Sequence, residues 1–103
     1  MNRVVQEKLK ETVVLCKKRG VRRLALFGSA ATDSFDPSSS DLDLIVEFNP
    51  MSPVGHADSY FGLMEDLERL FRVPVDLIEL APVRNPFFRQ AVAETQEVLY
   101  EAA

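Results

Sequence analysis

The pattern of apolar and acidic residues predicts an α/β domain: a small mixed β-sheet of three to four strands with helices packed mainly on one face. Three observations lead there. Residues 21–27, 41–48 and 73–80 are short apolar runs of strand length. Helical periodicity occupies residues 2–19 and 57–72, before the first run and between the second and third. Gly, Pro, Ser and Asn gather at the junctions, where the chain must turn.

Val5, Leu9, Val13 and Cys16 recur at helical spacing, with Glu7 and Glu11 early and Lys17, Lys18 and Arg19 in the last turn, where positive charge suits the helix dipole. Gly20 is placed to end that helix. The basic cluster from Lys17 to Arg23 reads as a dipole-matched helix end followed by a solvated strand start. After the first strand come Gly28 and Ser29, then Ala30-Ala31-Thr32, which can open a short helix. A Ser/Asp/Pro-rich loop through Ser40 follows, with Asp33 and Asp36 as loop caps.

The second strand is closed by Asn49-Pro50 and a loop to Gly55. His56, the single histidine, has no partner at local spacing and is assigned a surface or capping role. Tyr60, Met64, Leu67 and Phe71 then mark a core-facing helix. In the third strand Pro74 stands at the start, where a missing N–H does least harm. Asn85 followed by Pro86 reads as an N-cap and first helical position, with Phe87, Phe88, Ala91 and Val92 packing inward. Glu97 to Tyr100 can add a short edge strand.

The chemistry concentrates between residues 28 and 76. Side chains alternate along a strand, so Asp41 and Asp43 leave one face roughly 7 Å apart while Leu42, Leu44, Val46 and Phe48 face the other way. Paired carboxylates suit a hard cation such as Mg²⁺, which takes oxygen ligands and shares them with nucleotide phosphates. Gly28 lets backbone approach a ligand closely, and Ser29 offers a hydroxyl and an N–H where a helix begins, a favourable place for an anion. Alternation separates Asp76 and Ile78 from Val75, Leu77 and Glu79, so Asp76 is a third strand carboxylate available to the same cleft. Each feature alone is commonplace as turn or solvated face; together and in this order they fit a metal-bound nucleoside triphosphate.

Composition sets the outer bounds. At 103 residues, with 47% hydrophobic and 27% charged content, the chain is expected to form a single domain over residues 1–103. A net charge of −4 argues against general nucleic-acid binding. One cysteine, Cys16, excludes an internal disulfide and is expected to be a buried structural thiol. Without an apolar run of bilayer-spanning length or a signal-peptide pattern, no membrane association and a cytoplasmic location are expected.

These motifs, in their order along nearly the whole chain, resemble the minimal nucleotidyltransferase domains of the DNA polymerase β superfamily, the small type encoded beside a HEPN-domain protein. The resemblance rests on Gly28-Ser29, Asp41-x-Asp43, Asp76 and Arg84-Asn85-Pro86-Phe87 within the helix and strand order above. It implies that Gly28 and Ser29 hold the triphosphate of ATP or another nucleotide. It also implies that Asp41, Asp43 and Asp76 bind two Mg²⁺ ions, with Asp76 helping to activate the attacking hydroxyl. The implied partner is a HEPN-domain toxin, neutralised by adenylyl transfer. The family's Arg-Gly pair after Gly-Ser is replaced here by Thr32-Asp33, and eleven residues separate Ser29 from Asp41 where many members have ten. Three readings stand, in this order: an active nucleotidyltransferase antitoxin, an antitoxin that neutralises its partner by binding alone, and a small α/β scaffold whose acidic face is only solvated. The open edges of so small a sheet need covering, by that partner or in a homodimer.

Overall fold

The computed structural model describes residues 3–28 and 41–102. The N-terminal stripe forms two helices rather than one, α1 over Arg3–Glu7 and α2 over Leu9–Lys18. The chain leaves helical geometry at Lys8, whose ammonium donates to the Leu70 carbonyl at 2.6 Å and stands 5.9 Å from the centre of the Phe71 ring. The buried Thr12 hydroxyl donates to the Lys8 carbonyl at 2.8 Å, taking up an acceptor at the break. A period of apolar residues is blind to such an interruption, because Val5, Leu9 and Cys16 keep their spacing across it. Gly20 follows α2 at φ 70°, the left-handed position expected of it.

Four strands follow the first helices: β1 (Val21–Leu26), β2 (Leu42–Phe48), β3 (Val75–Glu79) and β4 (Glu97–Glu101). They form one mixed sheet in the order β3-β2-β1-β4. β1 runs antiparallel to β2 and β4, whereas β2 and β3 are parallel. A parallel neighbour demands a crossover, and α3 (Pro53–Phe71) supplies it. Edge strand β3 is held from two sides. Leu42 N–H donates to the Pro74 carbonyl at 2.9 Å, and Val75 N–H donates to the Glu68 carboxylate at 3.0 Å.

The register lines up Leu26, Leu44 and Leu77 in one row across β1, β2 and β3. These residues join Val5, Cys16, Leu63, Leu67 and Phe71 in the main core, so α2 and α3 cover one sheet face, as the patterning predicts. Arg23, Ala25, Asp43, Ile45, Asp76 and Ile78 belong to the opposite face by alternation. On that side α4 (Pro86–Thr95) reaches the sheet through Phe88, which meets Phe27 edge-on with ring centres 5.9 Å apart.

Two helices differ from expectation. α3 begins at Pro53, not Ala57, with Ser52 as N-cap accepting from Gly55 N–H at 3.1 Å. This is the same cap-then-proline chemistry that starts α4, where Asn85 accepts from Phe87 and Phe88 N–H. α4 is also less inward-facing than predicted: Val92 is buried, but Phe87 is 81% exposed and Ala91 is exposed. An N-cap fixes where a helix starts, not which neighbours remain to cover it. Among the described residues no helix is long and apolar enough to cross a membrane.

Candidate active site

Parallel pairing of β2 with β3 sets Asp43 directly beside Asp76. Adjacent strands lie about 4.8 Å apart, so two carboxylates at paired positions on one face are close neighbours. Asp41, exposed immediately before β2, adds a third acidic group, and its charge reaches Asp43. The Asp43 carboxyl titrates above the usual carboxylate range, first because half-burial disfavours its charge, then because Asp76 and Asp41 repel it. Among the described residues Asp43 has no ion-pair partner.

Gly28 closes over the same point. Its φ is 64°, and a Cβ there would lie 3.0 Å from Asp43 Oδ2. Just before it, Phe27 N–H donates to the Asp43 carbonyl at 3.2 Å, tying the loop after β1 to the acidic strand. The fold thus gathers Gly28, Asp41, Asp43 and Asp76. Ser29 lies outside the described residues, as do the Thr32-Asp33 pair, Asp33 and Asp36, and the short helix expected at 30–32.

Among the described residues no three acidic, His or Cys groups form a complete metal-ligand set. What is present is a half-set, Asp43 with Asp76 and Asp41 alongside. That fits Mg²⁺, which is ordinarily held by one or two carboxylates and completes its shell with water and substrate phosphate. Gly28 bears directly on this fit. Gly28→Ala is expected to cost about 1–2 kcal/mol of stability from the left-handed backbone alone. It should also push on Asp43 Oδ2 and weaken Mg²⁺-dependent nucleotide binding. Urea unfolding and calorimetric titration with Mg·ATP read the two effects separately.

A second polar group, not expected from local sequence, lies on the other side of β3. His56, given no partner at local spacing, pairs through Nε2 with Glu79 Oε1 and lies 5.2 Å from the Phe48 ring. One turn on, Tyr60 donates to the Leu77 carbonyl at 2.5 Å. The phenol titrates above its ordinary range because of burial, then the charges of Glu79 and Asp76. The available signal is Glu79 itself, an acid on the apolar side of β3 by alternation.

Elsewhere polar groups are structural. Two members of the basic cluster are in ion pairs, Arg19 with Asp66 at 2.9 Å and Arg23 with Glu101 at 3.4 Å, while Lys17, Lys18 and Arg22 are exposed. Cys16 is fully buried, and burial pushes its thiol up to about 12, which excludes a thiolate nucleophile at neutral pH.

A mixed sheet with paired carboxylates beneath a glycine turn is an arrangement suited to phosphoryl chemistry. Residues 7–98 match the nucleotidyltransferase domain family, and the chain belongs to it. It is 29% identical over 85 residues to a Methanocaldococcus jannaschii protein provisionally named a protein adenylyltransferase, covering 82% of this chain and 83% of that one. A solved structure provisionally called a minimal nucleotidyltransferase is 28% identical, with a TM-score of 0.66 and 90% of each chain covered. The fold is also that of a chain in the tri-AMPylated Shewanella oneidensis HEPN toxin–MNT antitoxin complex. There the TM-score is 0.64 at 18% identity, over 94% of this chain and 72% of that one.

Proposed function

We propose that this nucleotidyltransferase is a cytoplasmic antitoxin that transfers AMP from ATP to a hydroxyl on a HEPN-domain partner. The observation that carries the proposal is the pairing of Asp43 with Asp76 across parallel strands, an acidic pair beneath Gly28 with no ion-pair partner among the described residues. The names of the relatives supply the adenylyl group and the kind of partner.

In this reading Asp41, Asp43 and Asp76 hold two Mg²⁺ ions, and Gly28 with Ser29 receives the triphosphate. Such ions, when bound, neutralise phosphate charge and stabilise the attacking and leaving oxygens of an in-line displacement. Asp76, the most open of the paired carboxylates, accepts the proton as the acceptor oxygen bonds to the α-phosphorus and pyrophosphate leaves. Asp43, half-buried and anchored through Phe27, holds its carboxylate in place.

The test is incubation of the chain with ATP, Mg²⁺ and a HEPN-domain protein, read by intact mass. Adenylyl increments on the partner that vanish with chelator are expected. A stable complex that never acquires them would instead favour neutralisation by binding alone, the reading that Thr32-Asp33 in the expected phosphate loop supports. Under that alternative, Asp41→Asn would still protect cells co-expressing the toxin.

A further inference from the structure

We propose that two copies of this chain pair through α2 and α3, on the face of the sheet away from Asp43 and Asp76. A groove of ≈ 580 Å³ runs between these helices, floored by half-buried Leu15 and Leu70. Val14 lines it and is 60% exposed, an apolar side chain on the outer ridge of α2.

The charges around Val14 decide the occupant. Glu11 lies three residues before it and Lys18 four residues after, all on one stripe of α2. Seven residues of helix place these opposite charges about 10.5 Å apart along the axis. If a second α2 lies antiparallel about a two-fold axis, Glu11 meets Lys18 of the other copy and Val14 meets Leu15. Lys18 then meets Glu11, so the contact repeats itself. Such self-complementarity is what an isologous interface requires. Among the described residues Glu11 and Lys18 have no ion-pair partner, whereas Asp66 in the groove wall is already held by Arg19. Lys10, Lys18 and Arg69 face Glu11 and Asp66 around this apolar centre, and a lining of both signs suits this chain's own surface.

The groove also has the shape that the contact needs. A ridge of side chains on one helix packs between the ridges of another pair, and the α2–α3 groove offers that seat to the α2 ridge of a second copy. The association would therefore use the helical face, not the sheet edges, where β3 and β4 are only five residues long. Because the acidic cleft lies on the opposite sheet face, both clefts stay open in the pair. The inference does not depend on the transferase reading.

Sedimentation velocity over a range of micromolar concentrations tests it, with each variant's fold checked by circular dichroism. The wild type should be a dimer, and Val14→Glu a monomer. Glu11→Lys and Lys18→Glu alone should each weaken the dimer by about tenfold, since each reversal turns two symmetry-related attractions into repulsions. The double variant Glu11→Lys/Lys18→Glu should restore it. A monomeric wild type overturns the proposal and leaves the groove to a different protein. A dimer indifferent to Val14→Glu overturns its location, and failure of the double variant to recover overturns the antiparallel register.

Discussion

Asp43→Asn is expected to abolish nucleotidyl transfer while raising the melting temperature of the metal-free protein. The two effects share one cause. Asp43 is half-buried beside Asp76 and Asp41, and its ionised form is disfavoured by burial first and by those charges second. A carboxyl whose folded-state pKa lies above its unfolded value binds protons more readily when folded. Stability therefore falls as pH rises from the unfolded value through the folded one, and the penalty is complete above the folded value. Asparagine keeps the shape and removes the penalty. It also removes the charge that would hold a divalent ion against substrate phosphate. Loss of several kcal/mol of transition-state stabilisation lowers the rate by roughly a thousandfold or more.

Three readouts separate this from simple damage. Thermal melts without metal should place Asp43→Asn above the wild type at pH 7, with the difference shrinking as pH falls into the carboxylate range. Mg²⁺ with ATP should stabilise the wild type and not the variant. Intact-mass assays should show no transfer. A variant that melts lower than wild type at neutral pH would contradict an uncompensated charge at Asp43, and an undiminished rate would remove Asp43 from the reaction.

Leu44→Ala carries the largest expected loss of stability. Leu44 is wholly buried in central strand β2, flanked in register by Leu26 and Leu77, within the cluster that includes Leu63 and Leu67 of α3. Rigid strands on both sides leave little room for collapse, so the cavity persists. A loss of about 3 kcal/mol is expected, within the range for Leu→Ala in well-packed cores. For a domain of this size that corresponds to a melting temperature lower by about 15 °C. In urea the midpoint should fall with an unchanged slope, the sign of lost stability without a change in surface exposed. Because Leu44 follows Asp43, calorimetry should also show weaker Mg·ATP binding in the variant. A loss below about 1 kcal/mol would mean that the strands do close over the gap.

The site and the framework were legible in the sequence to different depths. Asp41-x-Asp43 announced one acidic face because strand alternation is a property of two neighbouring residues. Asn85-Pro86 announced α4 because capping is equally local. Ser52-Pro53 carries the same cap-then-proline signal, but it stands within a stretch where Pro50 and Pro53 also fit a turn. The single helix predicted over 2–19 breaks at Lys8, whose side chain is anchored 62 residues away on Leu70. His56 lacked a partner only in local sequence; Glu79 is its partner across the α3–β3 crossover.

Alternation, caps and glycine positions act over a few bonds, which is why the chain's own order of residues already held the strands, most of the helices and the acidic character of one face. The pairing of Asp43 with Asp76 was settled otherwise. Strand register depends on how α3 packs and where the Pro74 carbonyl meets Leu42 N–H, and a shift of one residue would turn Asp76 toward the core. The close approach of Gly28 to Asp43 likewise comes from β1 and β2 lying side by side. Folding converts three separate acids into one electrostatic unit, because repulsion between carboxylates depends on distance through space rather than along the chain.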